Sequence, residues 1–276
     1  LIVAATGTGK TVISAFDYKR FKANHPSSKL LFIAHRKELL EQAQDTFRHV
    51  LRDANFGELW VDGMEPVDYN HVFASVQTLN SRLPEWKLSQ HFYDFIIIDE
   101  VHHIAANSYR PILNRFVPKI LLGLTATPER MDGVDILKDF DHTIAAEIRL
   151  PEALNSKMLT PFQYFGISDS VDLSHVQWKN GKYESKELTK IYTSNDRRLN
   201  EIISNCDKYL TDVHQVRALG FCINKEHAQY MAEKFIFNEL RADYLTSDDS
   251  SEKRELVRQR LLTKEINYLF VCLWRV

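Results

Sequence analysis

Near its start the chain reads Ala4-Ala5-Thr6-Gly7-Thr8-Gly9-Lys10-Thr11, and a later apolar run, Phe95 to Ile98, ends in Asp99-Glu100. These two stretches offer complementary chemistry. Gly7 and Gly9 let backbone amides close around an anion, and a helix starting just after them adds its positive end. Lys10 is then placed to reach the β and γ phosphates of a nucleotide, and the Thr11 hydroxyl to ligate Mg²⁺. The generic loop of this kind has glycine five positions before Gly9; here that position is Ala4, still small enough for close approach. Asp99 suits the same magnesium ion, mostly through water, and Glu100 suits a general base that orients and deprotonates a water attacking the γ phosphate. Plainer alternatives stand beside these readings: a tight strand-to-helix turn for the first stretch, and acidic capping of the next helix for the second. His102 and His103 follow the acidic pair, but adjacent histidines project in different directions and no Cys or further His lies at ligand spacing. No zinc site is expected from them.

Such residues need a sheet edge to hold them. Short runs rich in Val, Ile, Leu and Phe occur at 1–5, 30–35, 71–76, 95–99 and 120–127, separated by segments of helical spacing at about 10–24, 36–51 and 107–116. This is the pattern of buried parallel strands joined by crossover helices. The first helix is closed by Asn24-His25-Pro26, because proline disfavours helical geometry in the residue before it. From about 150 to 195 the rhythm fails around Pro151, Pro161 and the turn-like Trp178–Tyr183 stretch, which predicts a connector with room for a hairpin. It then returns, with helices expected near 196–210, 225–240 and 250–263 and strands at 217–223, 242–246 and 267–272. Ser250-Ser251-Glu252-Lys253 reads as a capped helix start. The expected organisation is an α/β first domain over 1–149, a connector over 150–195 and a partial second α/β domain over 196–276.

The 276 residues carry 35 Lys and Arg against 37 Asp and Glu, a formal net charge of −2, so any polyanionic partner must be held by a local groove rather than a bulk basic field. Hydrophobic residues make up 44% and charged residues 26%, the profile of a globular chain and not a disordered one. Cys206, Cys222 and Cys272 are odd in number and lack CxxC spacing, so they read as reduced core residues of a cytoplasmic protein. The longest apolar runs have strand length, and no membrane span is expected.

In order, ATGTGKT, DEVH at 99–102 and LTATP at 124–128 resemble motifs I, II and III of the superfamily 2 helicases and translocases, the DEAD/DEAH-like group. AHRKELLEQA at 34–43 resembles motif Ia, SVQTL at 75–79 the next nucleic-acid-contacting motif, and GFCINKEHA at 220–228 motif IV. The likeness covers nearly the whole chain and lies nearest the excision-repair helicases and the motor subunits of type III restriction enzymes. It implies two RecA-like parallel-sheet domains, the second incomplete, that use ATP and Mg²⁺ to move on nucleic acid, with DNA ahead of RNA. It also implies roles by position. Gly7, Thr8, Gly9, Lys10 and Thr11 would hold the triphosphate, Thr11 and Asp99 the metal, and Glu100 the hydrolytic water. His102 would face Thr125 and Thr127 and couple the nucleotide to domain movement. His35, Arg36, Gln77 and Thr78 would contact polymer phosphates, which position a strand without reading its sequence. For Arg36 a solvated helix position, and for Thr127-Pro128 a strand-ending turn, remain the bland alternatives.

The family also has a glutamine-containing element before motif I, and arginines in a late motif VI that reach the γ phosphate. The chain begins at Leu1 and ends in CLWRV, so the resemblance implies a motor core truncated at both ends, binding ATP better than it turns it over. Arg275 does not match the position of those arginines and is not assigned to that role. Two other functions fit the same residues: a nucleotide-gated nucleic-acid-binding module without productive catalysis, and the motor part of a restriction-type nuclease whose cutting site lies elsewhere.

Overall fold

Leu30-Leu31-Phe32-Ile33-Ala34 is apolar at every position, and a strand with one solvated face would alternate instead. In the computed structural model, which describes residues 1–101, 109–129, 135–169, 171–179, 182–193 and 196–272, this run is a strand covered on both sides. Leu31 and Ile33 join one apolar cluster with Val3, Val72, Ile96 and Ile98; Leu30 and Phe32 join another with Ile2, Phe73, Phe95 and Ile97. Helix residues close each face, Leu79 and Ile112 on the first, Ala15, Tyr18, Leu40 and Phe47 on the second. A strand such as Leu30–Ala34 therefore divides its side chains between two cores.

The chain divides into two units, Leu1–Gln163 and Tyr164–Val276. In the first, the elements are β1 (Ile2–Ala4), α1 (Lys10–Asn24), β2 (Leu30–Ala34), α2 (Lys37–Leu51), β3 (Glu58–Trp60), β4 (His71–Ser75), α3 (Val76–Arg82), β5 (Phe95–Ile98), α4 (Arg110–Arg115), β6 (Ile120–Thr125), β7 (Ala146–Ile148) and α5 (Leu150–Asn155). The strands form one parallel sheet in the order β3-β4-β2-β5-β6-β1-β7. Two of them, β3 and β7, are absent from the sequence expectation. Both are three-residue strands at the sheet margins, and runs that short leave no readable period. The expected strand 71–76 stops at Ser75, whose hydroxyl accepts the Thr78 N–H at 3.1 Å and starts α3.

The second unit holds the hairpin β8 (Trp178–Lys179) and β9 (Lys182–Tyr183), then α6 (Ser185–Thr193), α7 (Asp196–Tyr209), β10 (Ala218–Cys222), α8 (Lys225–Phe237), β11 (Ala242–Leu245), α9 (Ser251–Leu262) and β12 (Tyr268–Cys272). Its parallel sheet has the order β10-β12-β11. Ser250 caps α9 by accepting the Lys253 N–H at 3.3 Å, as its sequence context predicts. Cys222 and Cys272 are register partners on β10 and β12, both buried and free, and burial, then the neighbouring Cys272, pushes the Cys222 thiol up to about 12. Among the described residues no helix is long and apolar enough to cross a membrane.

His227, 5% exposed in the first turn of α8, accepts the Ile223 N–H on Nδ1 at 3.4 Å and stacks on Tyr192. Burial, then the charge of Arg198, lowers its pKa to about 4. The unfolded histidine takes up its proton near pH 6.5 and the folded one only near 4, so the native state binds fewer protons between those values. Stability therefore falls as pH drops through that window and levels off below it, by roughly 2–3 kcal/mol for one such group. Urea unfolding of the second unit, followed from pH 7 to pH 4, is expected to show this loss, and His227→Gln is expected to flatten it.

Candidate nucleotide site and polymer surface

Because the sheet is parallel, the five central strands all release their chains at one edge, where ligands of open α/β sheets bind. Along that edge stand, in spatial order, Gln77 and Thr78 after β4, His35 and Arg36 after β2, Asp99 and Glu100 after β5, Thr125 and Thr127 at β6, and the glycine loop after β1. The expected residues, scattered over a hundred positions, meet here because Ala34 pairs with Ser75, Ile33 with Ile98, Ile98 with Gly123, and Val3 with Thr125. The acidic pair sits between the glycine loop and the expected polymer contacts. His102 and Arg275 lie outside the described residues.

The glycine loop is built by positive backbone angles, φ +87° at Gly7 and +86° at Gly9, a region that costs L side chains strain. Gly9 is the N-cap of α1, which among the described residues has neither a side-chain cap nor an acidic residue in its first turn. Its amide dipoles are left to an anion. Lys10 Nζ donates to the Ala4 carbonyl at 2.9 Å, and the Thr8 hydroxyl donates to the Ala5 carbonyl at 2.6 Å, so the loop braces itself. Thr11 is half-buried beside them.

Lys10 also lies within electrostatic reach of the acidic pair. Burial lowers its pKa, while the charges of Asp99 and Glu100 pull it back up. Asp99 moves the other way from its norm: burial raises its pKa, with the charge of Glu100 adding to the rise, while the Glu100 N–H and Lys10 oppose it. The Glu100 N–H donates to Asp99 Oδ1 at 2.9 Å, and Glu100 itself is exposed, with a left-handed backbone at φ +51°. A non-glycine residue there is uncommon and turns its carboxylate away from the direction a continued strand would give. The arrangement sets amide donors and an ammonium against two carboxylates, one half-buried and one in solvent. Thr11 and Asp99 carry oxygen donors of the kind a hard divalent cation takes.

Thr125 is buried, and its hydroxyl accepts the Thr127 N–H at 3.2 Å, which folds the LTATP segment into a turn with Thr127 exposed. Ser75 donates to the Thr78 hydroxyl at 2.8 Å; Gln77 and Arg36 are exposed. Two further residues belong to this edge and escape sequence reasoning. Leu159, on the turn after α5, lies over the glycine loop, where a Cβ on Gly7 would come 3.1 Å from its Cδ2. Tyr109, fully buried just before α4, sets its ring edge-on to His35 at 5.3 Å between centroids. Neither carries a motif or a period, and no signal in the sequence marks them.

Residues 1–130 match the family described as "Type III restriction enzyme, res subunit". IRC3 of Saccharomyces cerevisiae, an ATP-dependent helicase by name, is 29% identical over 97% of this chain and 40% of its own length. The EcoAI type I restriction enzyme endonuclease subunit of Escherichia coli is 24% identical, with 93% of this chain and 35% of that protein covered. The chain thus spans half or less of the length of such curated relatives. Among solved structures, a type I restriction enzyme HsdR fragment from Vibrio vulnificus superposes with a TM-score of 0.68 at 21% identity, covering 99% of this chain and 49% of that one. The Hef helicase domain of Pyrococcus furiosus gives 0.60 at 14% identity, covering 99% and 82%. These likenesses establish the RecA-like α/β fold expected from the motifs.

Proposed function

We propose that this chain, which belongs to the superfamily 2 helicases of the type III restriction-like group, is the ATP-driven motor core of a DNA helicase or translocase. The observation that carries this reading is the shared sheet edge, where Lys10 feels both Asp99 and Glu100 while His35, Arg36, Gln77 and Thr78 line the neighbouring strand ends. Gly7, Thr8, Gly9, Lys10 and Thr11 hold the triphosphate. Thr11 and Asp99 hold Mg²⁺, which when bound neutralises charge developing on the phosphates. Glu100 orients the attacking water and takes its proton. Thr125 and Thr127, with His102, relay the state of the nucleotide, and His35, Arg36, Gln77 and Thr78 grip phosphates of the polymer. DNA stands ahead of RNA because relatives named as restriction and DNA translocase subunits align with the chain, although one relative is named as an RNA helicase. A cytoplasmic setting accords with its three free cysteines.

The test is Mg·ATP hydrolysis by the full-length gene product, alone and with single-stranded DNA, duplex DNA or RNA, at one fixed salt concentration because phosphate contacts are salt-dependent. DNA is expected to stimulate most. Stimulation by none of the three would replace the motor with a nucleotide-gated binding module. The EcoAI likeness supports a second reading, the motor of a restriction nuclease, which ATP-dependent DNA cleavage by the full-length product would reveal.

The loop geometry makes a further expectation. Gly7→Ala places a Cβ at φ +87°, a backbone region strained for an L side chain, and 3.1 Å from Leu159 Cδ2, whose side chain must give way. ATP affinity is expected to fall about five- to tenfold, the equivalent of roughly 1–1.4 kcal/mol, in a fluorescent-nucleotide titration. Leu159→Ala combined with Gly7→Ala is expected to recover part of the loss, since it removes the steric share and leaves the backbone share.

A further inference from the structure

Arg149, just past β7, grips two carboxylates at once. Its Nη1 and Nη2 donate to Glu129 Oε2 and Oε1 at 3.0 and 2.7 Å, a two-pronged pairing, and its Nε donates to Glu147 Oε1. Glu147 and Arg149 stand two residues apart at the strand end and so share a face, which lets Glu147 orient the guanidinium toward Glu129. Such a fork fixes direction as well as distance, which a point charge does not. Glu129 is exposed and Arg149 half-buried, so the pair adds little to folding.

The segments it joins both belong to the nucleotide site. Glu129 lies two residues past Thr127, on the stretch that leaves β6 at Thr125; the pairing of Val3 with Thr125 anchors the start of that stretch to β1, and the fork anchors its far end. The main chain around Arg149 supports the glycine loop. The Ile148 carbonyl accepts the Ala5 N–H at 3.0 Å, at the root of the loop, and the Arg149 carbonyl accepts the Ala153 N–H at 2.9 Å, in the first turn of α5. The Ala153 carbonyl in turn accepts the Leu159 N–H at 3.1 Å, in the turn that sets Leu159 over Gly7. Arg149 thus has its main chain in the support of the glycine loop and its side chain on the threonine segment.

We infer that Arg149 is a positioning residue that holds the Thr125–Glu129 segment, and with it the Thr127 hydroxyl, in register with the glycine loop. This inference rests on the motor reading above, in which Thr125 and Thr127 relay the state of the nucleotide. Without the fork the segment pivots about Thr125 and the polymer-stimulated step slows. The loop, braced by main-chain bonds that a side-chain substitution leaves in place, still binds ATP.

The experiment compares the full-length product with Arg149→Ala, Arg149→Lys and the charge-swapped double variant Glu129→Arg with Arg149→Glu, using oligodeoxythymidine and a mixed-sequence DNA duplex. Polymer-stimulated kcat is expected to fall about fivefold in Arg149→Ala, with the KM for ATP within about twofold of the parent. The thermal melt is expected to move by less than about 3 °C. Arg149→Lys, which keeps the charge and loses the fork, is expected to fall between the two. The charge-swapped pair is expected to recover at least half of the loss, whereas Arg149→Glu alone stays at least as slow as Arg149→Ala. An Arg149→Ala variant stimulated like the parent overturns the inference and leaves the motor standing. A loss that the charge swap does not relieve, or one in which KM rises as kcat falls, also overturns it. A parent that no DNA stimulates removes the motor reading and this inference with it.

Discussion

Lys10→Ala is expected to lower the kcat/KM for ATP by about 10³, with folding retained. Two losses combine. The ammonium is coupled to both Asp99 and Glu100, and it donates to the Ala4 carbonyl at the base of the glycine loop. Without it the phosphates lose a direct charge contact. The carboxylates also lose the neighbour that offsets their mutual repulsion, so Asp99, already raised by burial and by Glu100, is pushed further toward its neutral form. A neutral Asp99 is a poorer ligand for a divalent ion, and the defect is expected to deepen as pH falls. The cost to the fold is limited to the part-buried hydrogen bonds from Lys10 to the Ala4 carbonyl at 2.9 Å and the Ala5 carbonyl at 3.5 Å, about 1 kcal/mol. Steady-state hydrolysis across pH, with a thermal melt as control, measures both effects. Turnover within threefold of the parent would remove Lys10 from the site.

Glu100→Gln is expected to separate chemistry from binding: kcat falls by about 10²–10⁴ while ATP affinity is kept or improved. Glutamine preserves the size of the side chain and tolerates the left-handed backbone at φ +51° as glutamate does, so the strand-ending turn survives. What is lost is the carboxylate proposed to take the proton from water. What is gained is relief for Asp99, because the charge of Glu100 is among the causes that raise its pKa. Single-turnover hydrolysis beside a nucleotide titration tests the separation. Equal losses in binding and rate would assign Glu100 to metal or phosphate binding instead.

The residues carrying both predictions were legible from spacing, and the reason is local. A glycine loop, the helix after it and the acidic pair after an apolar strand are each written within about ten positions, and α1 spans Lys10–Asn24 as expected. The cap at Ser250 was legible for the same reason. Marginal strands were not: Glu58–Trp60 and Ala146–Ile148 owe their structure to a neighbour already in place, through pairing with β4 and β1. The helices Leu150–Asn155 and Ser185–Thr193, inside the expected connector, are too short for their periodicity to stand out.

By itself, then, the sequence determined which side chains can do chemistry, that they end strands or begin helices, and that both units are parallel α/β. Tertiary structure alone decided the strand order that sets the acidic pair between the glycine loop and the strand ends carrying His35, Arg36, Gln77 and Thr78, with β6 separating β5 from β1. It alone turned Glu100 into the left-handed region, laid Leu159 over Gly7 and set Tyr109 against His35. Local signals are carried by backbone preference and side-chain period, whereas these contacts join residues far apart in the chain through shape and burial, which leave no period to read.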